Sequence, residues 1–152
     1  MKGVRVGSLS SVPGDAATDA TVPEGFERFA RTSPLTDPWQ PIYVKHGADG
    51  LALGVRVAPP HLNARGVVHG GLISALADNA MGYSCAARFE RAGMVTVHLS
   101  VDFLEPVALG QWLAFGGSVI KTGKTLCVAQ CTITADGVQV ARADATFRVI
   151  AP

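Results

Sequence analysis

The stretch from Asn63 to Ser84, NARGVVHGGLISALADNAMGYS, combines a His-Gly-Gly triplet with a carboxylate inside an otherwise apolar segment. Amides at the start of a helix have no partners within the helix and lie at its positive end, so His69-Gly70-Gly71 could hold a developing oxyanion. Asp78 follows about two turns later, where an unpaired carboxylate among apolar neighbours costs several kcal/mol unless something satisfies or uses it. This combination is typical of a site that polarises a carbonyl and activates water.

Each of these features also has a purely structural interpretation. The glycines of the triplet give a tight turn its backbone freedom. An isolated aspartate on a helix commonly faces solvent or caps a neighbouring loop. His69 could orient a substrate carbonyl, or it could hold the loop through a hydrogen bond. The sequence leaves both interpretations open for all of these residues.

The elements around this stretch are predicted from hydrophobic periodicity. The segment 23–31 predicts a short helix, and Ala48-Asp49-Gly50 predicts the turn of a hairpin of two strands. A long helix is expected from about Gly71 to about Arg88, with one apolar face and one face of small residues. Four strands follow: MVTVHLSVDFLEP, WLAFGGSVI, TLCVAQCTIT and VQVARADATFRVI. This order predicts an α+β fold in which the sheet wraps around the long helix.

The first of these four strands has two chemically different faces. Valine, leucine and phenylalanine alternate with threonine, histidine, serine and aspartate. The apolar members are Val95, Val97, Leu99, Val101 and Phe103, and the polar members are Thr96, His98, Ser100 and Asp102.

Length and composition limit the class of protein. The chain of 152 residues fits one domain, and 13 basic against 12 acidic residues, a net charge of +1, give no nucleic-acid footprint. Residues 1–22 have few large apolar side chains and no signal-peptide core, so we expect a mobile tail before a domain over 23–152. We expect a soluble, cytoplasmic protein without a membrane span. The cysteines and histidines lack metal-ligand spacing, so no metal or organic cofactor is implied.

The segment HLNARGVVHGG, followed by LADNAMGYS, resembles the hot-dog acyl-CoA thioesterases of the phenylacetate-pathway (PaaI) type. The pattern is H-x-N-x-x-G-x-x-H-G-G with an aspartate nine residues after the second histidine, and it is met by His61, Asn63, Gly66, His69, Gly70, Gly71 and Asp78. The resemblance covers about residues 25–150. It implies a long central helix wrapped by a curved antiparallel sheet of five to six strands, assembled as a homodimer or a homotetramer.

The same resemblance implies roles for individual residues. The Gly70 amide with Asn63 would polarise the thioester carbonyl, Gly71 would let that carbonyl approach, and Asp78 would act as general base or nucleophile. Thr96 matches the family position whose hydroxyl helps to hold the water.

Positions near the phosphates of coenzyme A in the family correspond to Lys121 and Lys124. Both lysines also fit a solvated turn. Where many relatives have arginine, this chain has Glu105, which replaces a possible phosphate contact by a negative charge.

The sequence therefore predicts a hydrolase that cleaves an aryl, short-chain or medium-chain acyl-CoA. Two alternatives stay open: a hydratase or dehydratase of the same fold that uses His69 and Asp78, and an acyl-CoA-binding protein without catalysis. Eight residues of helix separate Gly70 from Asp78, about 12 Å at 1.5 Å per residue. Because both groups must reach one carbonyl, we expect each site to combine Gly70 of one protomer with Asp78 of another.

Overall fold

A single long helix, α1 (Gly70–Ala86), packs against a curved antiparallel sheet in the computed structural model, which describes residues 22–150. Residues 1–21 and 151–152 lie outside the described residues, and so does nearly all of the expected tail. The described part contains seven strands: β1 (Glu27–Arg28), β2 (Tyr43–His46), β3 (Leu51–Arg56), β4 (Gly93–Phe103), β5 (Trp112–Thr122), β6 (Leu126–Ala135) and β7 (Val138–Ile150). The sheet order is β1-β2-β3-β5-β6-β7-β4, and every pair is antiparallel.

This architecture confirms the helix wrapped by a sheet, the β2–β3 hairpin and the four strands after the helix. The expected strand number of five to six is slightly low because the short helix predicted over 23–31 is wrong. That segment is extended and contains β1, which pairs with β2, and the Phe29 amide continues the pairing with a bond to the Ile42 carbonyl (2.9 Å). A helix this short is marginal by itself, whereas the sheet edge supplies backbone partners.

Helix α1 is held against the sheet by close backbone packing. A methyl group at Gly117 on β5 would lie 2.7 Å from the Ala80 carbonyl oxygen, so glycine is needed for the helix to approach this closely. Ser84 is buried, donates to the Ala80 carbonyl (2.7 Å) and accepts from the Leu51 amide (3.0 Å). Ser84 therefore joins the C-terminal half of the helix to the start of β3.

Three register irregularities interrupt the antiparallel pairs of the described sheet. The register shifts between Thr96 and His98 on β4, between Val119 and Lys121 on β5, and between Ile133 and Thr134 on β6. A bulge adds a residue to one strand, increases the local twist and redirects the side chains beyond it.

The three cysteines are buried free thiols in the core. Burial raises the pKa of Cys131 to about 12, so this thiol stays protonated at neutral pH. Among residues 22–150, no helix has the length and apolar character that would let it cross a bilayer.

Candidate active site

The turn before α1 is fixed by its own hydrogen bonds. The His69 amide donates to the His61 carbonyl (2.9 Å), and Leu62 pairs with Val68. The side-chain oxygen of Asn63 accepts from the amides two and four residues later, at 2.8 and 3.4 Å. Since this oxygen serves the turn, the NH₂ group of Asn63 is the part that can donate to a ligand.

His61 supports the turn through hydrogen bonds of its ring. Its ring is only 3% exposed, Nδ1 accepts from the Ala58 amide (3.0 Å), and Nε2 lies 3.2 Å from the Trp39 carbonyl oxygen, to which it donates. Burial lowers the pKa of His61, because the charged ring would be poorly solvated. A neutral His61 therefore positions the turn through two backbone bonds.

His69 is the N-cap of α1. Its Nδ1 accepts from the Gly71 amide at 2.8 Å, and its carbonyl accepts from the amides of Leu72 and Ile73. Within residues 22–150, the Gly70 amide has no such acceptor. The one unoccupied donor at this positive helix end is thus at Gly70, while Gly71 is engaged by the histidine ring.

Asp78 lies in the middle of α1 and contacts the first half of β4. The Thr96 hydroxyl donates to Oδ1 of Asp78 at 2.8 Å. The carboxylate is half-buried and lines a cavity of about 220 Å³ with the start of β4. This pairing brings together two residues that were predicted to act on the same water.

Gly70 and Asp78 line separate cavities of the chain. Gly70 faces a cavity of about 320 Å³ with Phe103, Glu105 and their neighbours at the end of β4. Thr96, by contrast, is at the other end of this strand. One protomer therefore does not bring the predicted oxyanion donor and the predicted carboxylate to one point.

A basic cavity adjoins the Asp78 cavity. Its volume is about 730 Å³, and Arg91, Lys124 and Arg148 contribute three cationic side chains to its wall against the single carboxylate of Glu90. Both cavities are lined by Ala92, which is where they meet. Lys121 is exposed and does not line this cavity. The sequence pattern identified Lys124 but not the two arginines, which no local motif accompanies.

Arg31 and Tyr83 are two further residues that were not predicted from the sequence. Both line the Asp78 cavity, and the Arg31 guanidinium carbon lies 5.1 Å from the centre of the Tyr83 ring. Helical spacing could have indicated Tyr83, because it lies one turn after Asn79, the neighbour of Asp78 that lines the same cavity. Arg31 carried no such signal, because it comes from the segment that follows β1.

Comparison with known proteins supplies independent information. Residues 65–141 match the Thioesterase superfamily. Over 130 residues the chain is 36% identical to the "Putative esterase" of Pseudomonas aeruginosa, covering 84% of this chain and 97% of that protein. It is 31% identical over 80 residues to human Acyl-coenzyme A thioesterase 13, covering 53% and 57% of the two chains. The structure of a hypothetical thioesterase from Streptococcus pneumoniae TIGR4 with coenzyme A is 26% identical with a TM-score of 0.67, covering 73% of this chain and 90% of that chain.

Proposed function

Because the chain belongs to the Thioesterase superfamily, we propose that it hydrolyses acyl-CoA thioesters with Asp78 as the reacting carboxylate. The observation that carries the assignment is the 2.8 Å bond from the Thr96 hydroxyl to a half-buried Asp78 beside a cavity. The acyl-CoA class is supported by the human relative, named an acyl-coenzyme A thioesterase, and by the pneumococcal structure with coenzyme A.

The reaction needs a carbonyl held by a donor and a water or carboxylate beside it. Asp78 either takes a proton from the attacking water or attacks the carbonyl carbon itself to form an anhydride that water then cleaves. Negative charge that develops on the carbonyl oxygen is stabilised by the Gly70 amide at the helix N-terminus, with the NH₂ group of Asn63 as a second donor. The carbon–sulfur bond breaks, and coenzyme A leaves as a thiolate that is protonated to the free thiol.

The complete site requires two protomers. An antiparallel pair of α1 helices, related by a two-fold axis, would bring Gly70 of each chain towards Asp78 of the other. The outer edge of β4, where Val95 and Val97 are 50% and 62% exposed, supplies apolar surface for such a homodimer. His69 contributes by holding the Gly71 amide, which fixes the helix start that presents Gly70.

The basic cavity is suited to the phosphates of coenzyme A. Arg91, Lys124 and Arg148 provide cationic donors, and Arg fits phosphate oxygens in a bidentate manner. Glu105 lies instead in the cavity of Gly70, where its charge disfavours a phosphate. Lys121 does not line this cavity and would attract the anion only at longer range.

The test is release of free thiol from a panel of aryl-, short-chain and medium-chain acyl-CoA substrates. Asp78→Asn keeps the size of the side chain and removes its basicity, so kcat should fall at least roughly a hundredfold. Asp144→Asn, at an exposed aspartate on β7, is the matched control and should retain wild-type turnover.

Two results would contradict the proposal. If the protein binds acyl-CoA but releases no thiol from any member of the panel, it is an acyl-CoA-binding protein and not a hydrolase. Near-normal turnover in a folded Asp78→Asn protein would remove the aspartate from the mechanism.

A further inference from the structure

The Asp78 cavity adjoins a cavity of about 390 Å³, which is lined by the last turn of α1, the extended segment after β1 and the residues that follow α1. This cavity and the basic cavity are both lined by Phe89, Glu90, Arg91 and Ala92. The Asp78 cavity and the 390 Å³ cavity have four lining residues in common, Arg31, Tyr83, Ala86 and Ala92. Only Arg31 and Tyr83 have long side chains, so these two form the partition between the cavities. We call this pair the Arg31–Tyr83 partition.

The partition is held in place from both sides. The Arg31 guanidinium lies over the Tyr83 ring at 5.1 Å, within the range of a cation–π contact. Tyr83 also meets Phe29 edge-on, with ring centres 5.2 Å apart and planes at 64°. Phe29 is anchored through its amide to the Ile42 carbonyl. The segment that carries Arg31 is therefore tied to the sheet and to the helix.

We propose that the Arg31–Tyr83 partition sets the longest acyl chain that the Asp78 site accepts, an inference that rests on the proposed function. With the thioester carbonyl beside Asp78, an acyl tail in the same cavity would contact Met94, Phe147 and Arg31, which line it. Each methylene gains from burial against the side chains of Met94 and Phe147. A methylene pressed on the guanidinium would strip water from a charge, which costs more than one methylene gains.

The charge and the bulk of Arg31 can be separated by substitution. Arg31→Ala removes both and opens the 220 Å³ cavity into the 390 Å³ cavity that adjoins it. Arg31→Lys keeps a cation that can lie over the Tyr83 ring. The proposal therefore expects a longer limit in the first variant and the wild-type limit in the second.

The length limit is measured by binding, with S-alkyl-CoA thioethers from butyl to hexadecyl as probes. These probes have no carbonyl and are not hydrolysed, so their dissociation constants report the cavity alone. In the wild type, affinity should rise roughly fourfold per methylene until the chain reaches the partition and then stop rising. In Arg31→Ala the rise should continue over at least about four further carbons, which makes the longer probes at least roughly a hundredfold tighter than in the wild type.

Arg28→Ala is the matched control. The Arg28 guanidinium also lies over an aromatic ring, that of Tyr43 at 5.6 Å, but it lines a different cavity with Val22 and Gly25. The Arg28→Ala variant should have the same acyl-chain length limit as the wild type. Circular dichroism and a melting curve establish that each variant is folded.

The outcomes separate the two proposals. Equal length limits in the wild type and Arg31→Ala overturn the partition, whether or not the wild type releases thiol. A shifted limit in a protein that hydrolyses no acyl-CoA supports the partition and overturns the thioesterase assignment. Failure of the wild type to bind any thioether overturns both.

Discussion

Thr96 holds Asp78 through a single hydrogen bond, and its contribution to turnover can be measured apart from that of the carboxylate. Loss of one such bond corresponds to roughly 1 kcal/mol, so we expect Thr96→Ala to lower kcat about tenfold at most. Thr96→Ser retains the hydroxyl and should remain near the wild-type rate. An unchanged kcat in Thr96→Ala would assign Thr96 a purely structural role.

His61 makes the free energy of unfolding depend on pH. Its folded-state pKa is lowered by burial, so between that value and about 6.5 the unfolded chain binds a proton that the folded protein does not. The stabilisation is therefore fully present above about pH 6.5 and is lost as the pH falls towards the folded-state pKa. Within this window the loss approaches about 1.4 kcal/mol per pH unit.

Denaturant titrations between pH 8 and pH 5 measure this dependence. His61→Gln should lack the part of the slope that His61 causes, in addition to any loss of stability at neutral pH. His46→Gln, at an exposed histidine on β2, should keep the wild-type slope. Parallel curves for the wild type and His61→Gln would exclude His61 as the source.

Whether a residue of the candidate site can be predicted from the sequence depends on how close along the chain it lies to the other residues of the site. The His-Gly-Gly triplet and Asp78 are predictable because one helix carries them and its geometry follows from local periodicity. Arg31 and Arg148 are brought to their cavities by pairing of distant strands, which leaves no mark in the spacing of nearby residues. The sequence therefore identifies the helix that carries these candidate groups but not the residues that line the cavities around them.

Among the elements, β4 shows why a correct strand prediction can misplace side chains. Strict alternation sets Thr96 on the face opposite to Leu99 and Phe103. The bulge at Val97 adds a residue, so Thr96 contacts Asp78 on the helix while Leu99 also packs on the core and Phe103 lies beside Gly70. A bulge shifts the alternation of side chains between the two faces by one residue. Its position depends on the register with β7, which cannot be read from the sequence of β4 alone.

The free edge of β4 yields a prediction about assembly. Val95 is exposed on β4, at an edge of the sheet that pairs with no other strand of the described chain. In a dimer that covers this edge, the Val95→Lys substitution would bury an unpaired positive charge. We expect this variant to sediment as a monomer and to lose thioesterase turnover. The control is Val138→Lys, at the first residue of β7, a valine of 65% exposure, which should sediment as the wild type does. A dimeric, active Val95→Lys protein would place the interface elsewhere.

At the scale of the whole molecule, the division of Gly70 and Asp78 between protomers is tested by mixing two inactive variants. A dimer of one Asn63→Ala chain and one Asp78→Ala chain contains one doubly altered site and one intact site. Random reassembly makes about half of the dimers mixed, so co-refolding equal amounts should restore about a quarter of wild-type activity. If mass spectrometry shows mixed dimers and the mixture stays inactive, each carboxylate acts within its own chain.

The Arg31–Tyr83 partition joins a residue that lies before the region matched to the superfamily with a residue inside that region. Asp78, Thr96 and Gly70 all lie within the 65–141 region shared with the superfamily, whereas Arg31 lies before it. Substitutions around Arg31 can then alter which tails fit without touching the groups that break the thioester bond. The segment from β1 to β2 can therefore be exchanged between relatives. A chimaera built there would have the catalytic groups of one parent and the acyl-chain preference of the other.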